Sequence, residues 1–184
     1  MYRQVLAKQP DKSVTIISVG FLNNLSDLLN ADPPLVKKKV KELVIMAGIH
    51  NDGFNLVRHN LVNASQNVLE NWPTPIVISQ AGGSIHTGSI LENTPQENPV
   101  REAYYQFFNS QFCDRSSWDE MAVLYGVRGL SNYFSEVTEG YGILNDGYRW
   151  KMQKGFRVYL ENKLPDSEYK KIIEQLMIEP PKGK

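Results

Sequence analysis

Three short runs of almost unbroken apolar residues punctuate the first half of the chain: VTIIS at Val14 to Ser18, LVIM at Leu43 to Met46 and PIVIS at Pro75 to Ser79. Their β-branched content and their lack of polar alternation predict strands covered on both faces. Between them the period changes to that of a helix. Phe21 to Leu29 is amphipathic, Leu35 to Lys41 forms a lysine-rich helical turn after the Asp32-Pro33-Pro34 break, and Leu61 to Leu69 places Leu61, Ala64, Val68 and Leu69 on one face. Ahead of the first strand, Tyr2 to Gln9 reads as the last turns of a helix closed by Pro10.

Strands alternating with helices predict an α/β fold, a mostly parallel sheet flanked by helices, in which ligands sit beyond the carboxyl ends of the strands. Those ends are Val19-Gly20, Ala47-Gly48 and Gln80-Ala81-Gly82. Pro99 to Asn109 and Trp118 to Val127 continue as helices. The stretch 133–160, with aromatic residues and Gly140, Gly142, Gly147 and Gly155, predicts a small antiparallel portion with tight turns. Tyr169, Ile172, Ile173, Leu176 and Met177 mark a terminal amphipathic helix before a Pro-rich tail. The 184 residues fit one domain, residues 1–184, with no internal repeat.

Charge narrows the classes of partner. Twenty basic residues balance twenty acidic ones, so no net field favours nucleic acid or an anionic membrane surface. No stretch approaches the ~20 apolar residues needed to span a bilayer, and Met1 to Pro10 carries no apolar run of the kind a signal peptide uses. As it stands the chain is expected to be soluble and cytoplasmic. The single Cys113 makes neither a disulfide nor a thiolate zinc site alone and is expected to be a small core residue.

Three polar segments at strand or helix ends are candidates for chemistry. In Ser18-Val19-Gly20-Phe21 the carbonyls at the strand end either form a tight turn into an Asn-capped helix or ligate a hard cation. The loop Met46 to His59 (MAGIHNDGFNLVRH) holds Asn55, whose amide serves a sugar hydroxyl or an Asx-turn. His50 and His59 show no metal-ligand spacing. In Ser116-Ser117-Trp118-Asp119-Glu120, Ser117 and Glu120 have capping-box spacing. Asp119 therefore falls in the first helical turn, where it complements the helix dipole or binds a divalent cation.

Taken in order, VTIISVGFLNNLSDLL, KELVIMAG, FNLVRH, VLENWPTPIVIS and SSWDEMAVLYGVRG resemble the C-terminal half of the inosine-uridine-type nucleoside hydrolase family, over about Val14 to Gly129. The resemblance implies hydrolysis of the N-glycosidic bond of ribonucleosides, in purine and pyrimidine salvage, with a tightly held Ca²⁺ that binds ribose hydroxyls and the attacking water. By residue it implies that Val19 offers Ca²⁺ a main-chain carbonyl, that Asp119 is a Ca²⁺ ligand, and that Met46 and Asn55 lie against the ribose. The family's Glu-Phe-Asn clamp reads Gly53-Phe54-Asn55 here, and its His-Asp pair reads Trp118-Asp119. A carboxylate and a leaving-group acid are thus replaced, while Trp118 offers a ring that can stack on a base.

The family's N-terminal strand and Asp-rich loop would precede Met1, so the resemblance implies a fold incomplete at the N-terminus and no catalytic residue in this chain. Only Asp119 and the Val19 carbonyl would reach the metal, where Ca²⁺ takes six to eight oxygens. Three readings follow: an enzyme competent only with a further N-terminal half, a non-catalytic ribose- or nucleoside-binding relative, or an interaction module without a ligand. All share the expectation that Val19, Met46, Asn55 and Asp119 converge on one cleft, with a small ribonucleoside as partner. A sheet edge exposed near Val14 to Ser18 would favour homo-oligomers.

Overall fold

The computed structural model describes residues 1–145 and 147–179, so the Pro-rich tail lies outside the described residues. Helix α1 (Tyr2–Ala7) leads to β1 (Val14–Ser18), α2 (Asn23–Ala31), α3 (Pro33–Lys39) and β2 (Val40–Met46). Next come α4 (Val62–Asn71), β3 (Ile76–Ser79), the short β4 (His86–Thr87), α5 (Pro99–Phe107), the short β5 (Arg115–Ser116) and α6 (Trp118–Arg128). The chain closes with β6 (Phe134–Val137), β7 (Tyr141–Asn145), β8 (Tyr148–Lys151), β9 (Arg157–Asn162) and α7 (Asp166–Ile178).

The central sheet runs β1-β2-β3-β9-β6, with β1, β2, β3 and β9 parallel and β6 antiparallel to β9. The predicted apolar runs thus become adjacent strands, with β1 as the terminal strand of the sheet. The stretch 133–160 divides between two sheets. Strands β7 and β8 form a separate antiparallel hairpin, whereas β6 and β9 extend the central sheet. The run in β9 alternates Val158 and Leu160, buried on one face, with Tyr159, packed on the other. A strand with apolar residues on both faces completes a covered sheet better than a solvated hairpin.

Two cores follow from this period of two. Leu43 and Ile45 of β2 and Ile76 and Ile78 of β3 point to the side covered by α2, α3, α4 and the hairpin. Val44 and Val77, with Val158 and Leu160, point to the side covered by α6 and α7. Gly126 lets α6 close on β1, since a Cβ there would stand 2.5 Å from Ile17 Cδ1. That approach sets α6 against the sheet with its N-terminus at the strand carboxyl ends, beside Val19 and Met46.

Candidate functional site

A cleft of about 540 Å³ opens at those strand ends. Val19, Gly20 and Phe21 reach it directly after β1, and Met46 reaches it as the last residue of β2. Phe54 and Asn55 enter from the loop that follows, and Arg115, Trp118 and Asp119 from β5 and the first turn of α6. Every substrate- or metal-contacting residue expected from the sequence, Val19, Met46, Asn55, Trp118 and Asp119, therefore lines one cleft. Helix macrodipole and strand-end geometry both favour polar ligand groups at such a place.

Asn55 is held by a residue the sequence reading passed over. The Asp52 carboxylate accepts hydrogen bonds from the backbone N–H of Gly48 (2.7 Å), Phe54 (3.0 Å) and Asn55 (2.8 Å) and from the Asn55 Nδ2 (2.8 Å). The Asx-turn thus belongs to Asp52, which caps a short π-helical turn at Gly53–Val57, and not to Asn55. One Asn55 Nδ2 hydrogen goes to Asp52, which leaves its Oδ1 as an acceptor for a hydroxyl donor. Desolvation pushes the Asp52 carboxyl up, but the donors from Asn55, Gly48 and Phe54 outweigh it and hold it below its ordinary value.

Trp118 and Asp119 are set by a close approach of backbone. Gly82 has φ +117°, and a Cβ there would lie 2.6 Å from the Ser117 carbonyl oxygen. Only glycine permits the bonds from Ser117 N–H to the Gly82 and Ile85 carbonyls, 3.0 and 2.9 Å. Gly83 packs against the indole edge of Trp118, which keeps 41% of its surface exposed. The capping box expected from Ser117 and Glu120 does not form. Ser117 occupies the N-cap position, but its hydroxyl is fully buried and pairs with that of Thr87 at 2.7 Å. Asn23 likewise begins α2 without capping it; Leu22 holds that position.

The Asp119 carboxyl is pushed up by desolvation, which the Arg115 charge partly opposes. A titratable group with such a shift in a cleft marks a candidate binding or catalytic position. Glu120, also pushed up by burial, opens instead into an adjoining apolar cavity of about 470 Å³ that shares Val19 and Asp119 with the cleft. The donors do not fit the Ca²⁺ site that the family resemblance implies. Among the described residues no group of three or more His, Cys, Asp or Glu is placed to hold a metal. Among the described residues Asp119 is the lone carboxylate lining the cleft, far short of six to eight oxygens.

His59 turns edge-on to Phe21, ring centroids 5.3 Å apart, and His50 joins Ile143 in an isolated bridge; neither is among the residues that line the cleft. Cys113 is half-buried rather than a core residue. Arg115, which lines the cleft, and Asp52, which holds Asn55 in place, are charged residues that sequence reasoning missed. A signal for Asp52 existed in the sequence, since Asp followed by Gly is a turn former.

No family model matches the sequence, and neither does any curated protein. Solved structures do match the fold. The effector protein XOO4466 superposes with a TM-score of 0.68 at 15% identity, covering 96% of this chain and 62% of that one. The inosine-uridine preferring nucleoside hydrolase of Bacillus anthracis gives 0.54 at 17%, covering 96% and 63%. The type III effector protein XopQ, solved with adenosine diphosphate ribose, gives 0.66 at 13%, covering 96% and 61%. The chain spans under two thirds of each of these proteins. The fold is nucleoside-hydrolase-like.

Proposed function

We propose that the cleft binds the ribose of a ribonucleoside-type ligand and that this chain by itself does not hydrolyse the N-glycosidic bond. The observation that carries the reading is the convergence of Asn55, Asp119, Trp118 and Met46 on one cleft. Asn55 Oδ1 and the Asp119 carboxylate are acceptors for ribose hydroxyls, Trp118 is a stacking face for a base, and Met46 supplies an apolar floor. The cleft's volume lies within the ~300–1,000 Å³ of small-ligand sites. That XopQ was solved with a ribose-bearing ligand supports a ribose-type partner on this fold.

Hydrolysis asks for more than the cleft holds. An oxocarbenium-like transition state is normally served by two carboxyl groups, one for the leaving group and one for water or the anomeric carbon. Among the described residues the cleft lining supplies Asp119 alone, with Gly53 and Trp118 at the positions where the resembled family has an acid and a histidine. Loss of one positioned proton donor lowers a rate by ~10²–10⁴. Incubated with inosine or uridine and millimolar Ca²⁺, the purified chain is expected to release ribose at the uncatalysed rate while inosine quenches Trp118 fluorescence. Ribose release that disappears in Asp119→Ala would overturn the non-hydrolytic reading.

A further inference from the structure

Among the described residues lining the cleft, Arg115 is the sole cation. Its guanidinium lies over the Phe107 ring, 4.4 Å from the centroid. None of the ion pairs formed among the described residues includes it. Asp119 and Glu120 feel its charge only at longer range. Its strand is held in place. Arg115 pairs with Thr87 across β4 and β5, and the neighbouring Ser116 hydroxyl donates to the Gly83 carbonyl at 2.9 Å.

A guanidinium stacked on an aromatic face keeps its plane while its N–H edge stays free to donate. That edge matches two oxygens of a phosphate, a pairing that is shorter and stronger than a neutral hydrogen bond. We infer that Arg115 is the anion-recognising residue of this cleft and that its ligand is a phosphorylated ribonucleoside, a nucleotide, and not a neutral nucleoside. The inference rests on the ribose-binding reading and adds the substrate class. Charge divides the labour within the cleft. The Asp119 carboxylate repels a phosphate and accepts from neutral hydroxyls, so the phosphate belongs at Arg115 and the ribose at Asp119 and Asn55. A guanidinium engaged only with Phe107 would instead leave binding indifferent to phosphate.

Calorimetry on the full chain at low ionic strength separates these cases, using adenosine, AMP and inorganic phosphate as probes. AMP is expected to bind at least about tenfold more tightly than adenosine, the scale of one hydrogen-bonded charge pair. Arg115→Gln should bring AMP down to the affinity of adenosine, and Arg115→Lys should keep part of the difference, because a point charge remains without the planar fork. Added salt should shrink the AMP advantage. Equal affinity for adenosine and AMP, or an AMP advantage that survives Arg115→Gln, overturns the inference and leaves the ribose reading standing. Inorganic phosphate binding as tightly as AMP overturns it too, since the anion would then be held without the sugar. Failure of both adenosine and AMP to bind overturns the ribose reading and this inference together.

Discussion

Replacing Arg157 by methionine is expected to lower the free energy of unfolding by about 3–5 kcal/mol, the cost of breaking a buried, hydrogen-bonded charged site. Arg157 begins β9 and has no solvent exposure. Its Nε donates to the Leu69 carbonyl at 2.8 Å and one terminal nitrogen to that of Trp72 at 3.0 Å. The other donates to Phe156 at 2.9 Å and, more loosely, to Thr74 at 3.4 Å. Burial pushes the guanidinium down to about 10, so it is still cationic at neutral pH. The Leu69, Trp72 and Thr74 carbonyls end α4 and shape the turn into β3, so a methionine would leave buried acceptors without donors. Arg157→Lys should fall between, since one ammonium cannot span the same carbonyls. The check is the denaturant midpoint at unchanged slope. A loss under about 1 kcal/mol would mean that the carbonyls find other donors.

Asp52→Ala is expected to weaken ribonucleoside binding by about tenfold or more, although Asp52 need not touch the ligand. Each hydrogen bond to a charged group contributes roughly 1.5–3 kcal/mol, and this carboxylate organises Gly48, Phe54 and Asn55 together. Without it the Asn55 amide is free to rotate, and its acceptor loses its place. The pH dependence has a definite sign. A carboxyl whose folded pKa is depressed contributes fully above its unfolded pKa and loses that contribution as pH falls through the folded value. Protection of the Phe54 and Asn55 amides against hydrogen exchange should therefore persist until the pH drops below the ordinary carboxylate value, about 3.9. Asp119, shifted the other way, protonates first, so affinity for a neutral ribonucleoside should decline on acidification before the loop loosens. Wild-type affinity in Asp52→Ala would contradict this positioning role.

The parts of this architecture that local pattern controls were legible in the sequence. A β-branched run with no polar alternation has one economical place, a strand buried on both faces, and the core of Val40–Met46 and Ile76–Ser79 take it, whereas Val14–Ser18, at the edge of the sheet, is only half-buried. The residues at the carboxyl ends of these strands then had to share a region of space, which brings Val19 and the loop carrying Asn55 together, whereas the place of Met46 against a ribose was implied only by the family resemblance. What escaped depends on partners far away in the chain. Ser117 and Glu120 have the spacing of a capping box, but Thr87, 30 residues distant, claims the serine hydroxyl. Arg115 sits in an unremarkable Asp-Arg-Ser stretch and reaches the cleft only because two-residue strands pair across a long connection. The place of β9 beside β3 was hidden for the same reason, since its neighbours in sequence suggested a hairpin.

Ribose recognition is tested most directly by titrating the chain with inosine and 2′-deoxyinosine, and repeating the titration with Asn55→Ala, Asp119→Ala and the double variant. One accepted hydroxyl contributes about 0.5–1.5 kcal/mol, or roughly twofold to tenfold in affinity. Wild-type chain should therefore prefer inosine by that factor, each single variant should erode the preference, and the double variant should abolish it with less than additive loss, as expected for two groups on one sugar. Equal binding of the two nucleosides, or a preference untouched by both substitutions, would show that Asn55 and Asp119 do not hold a ribose.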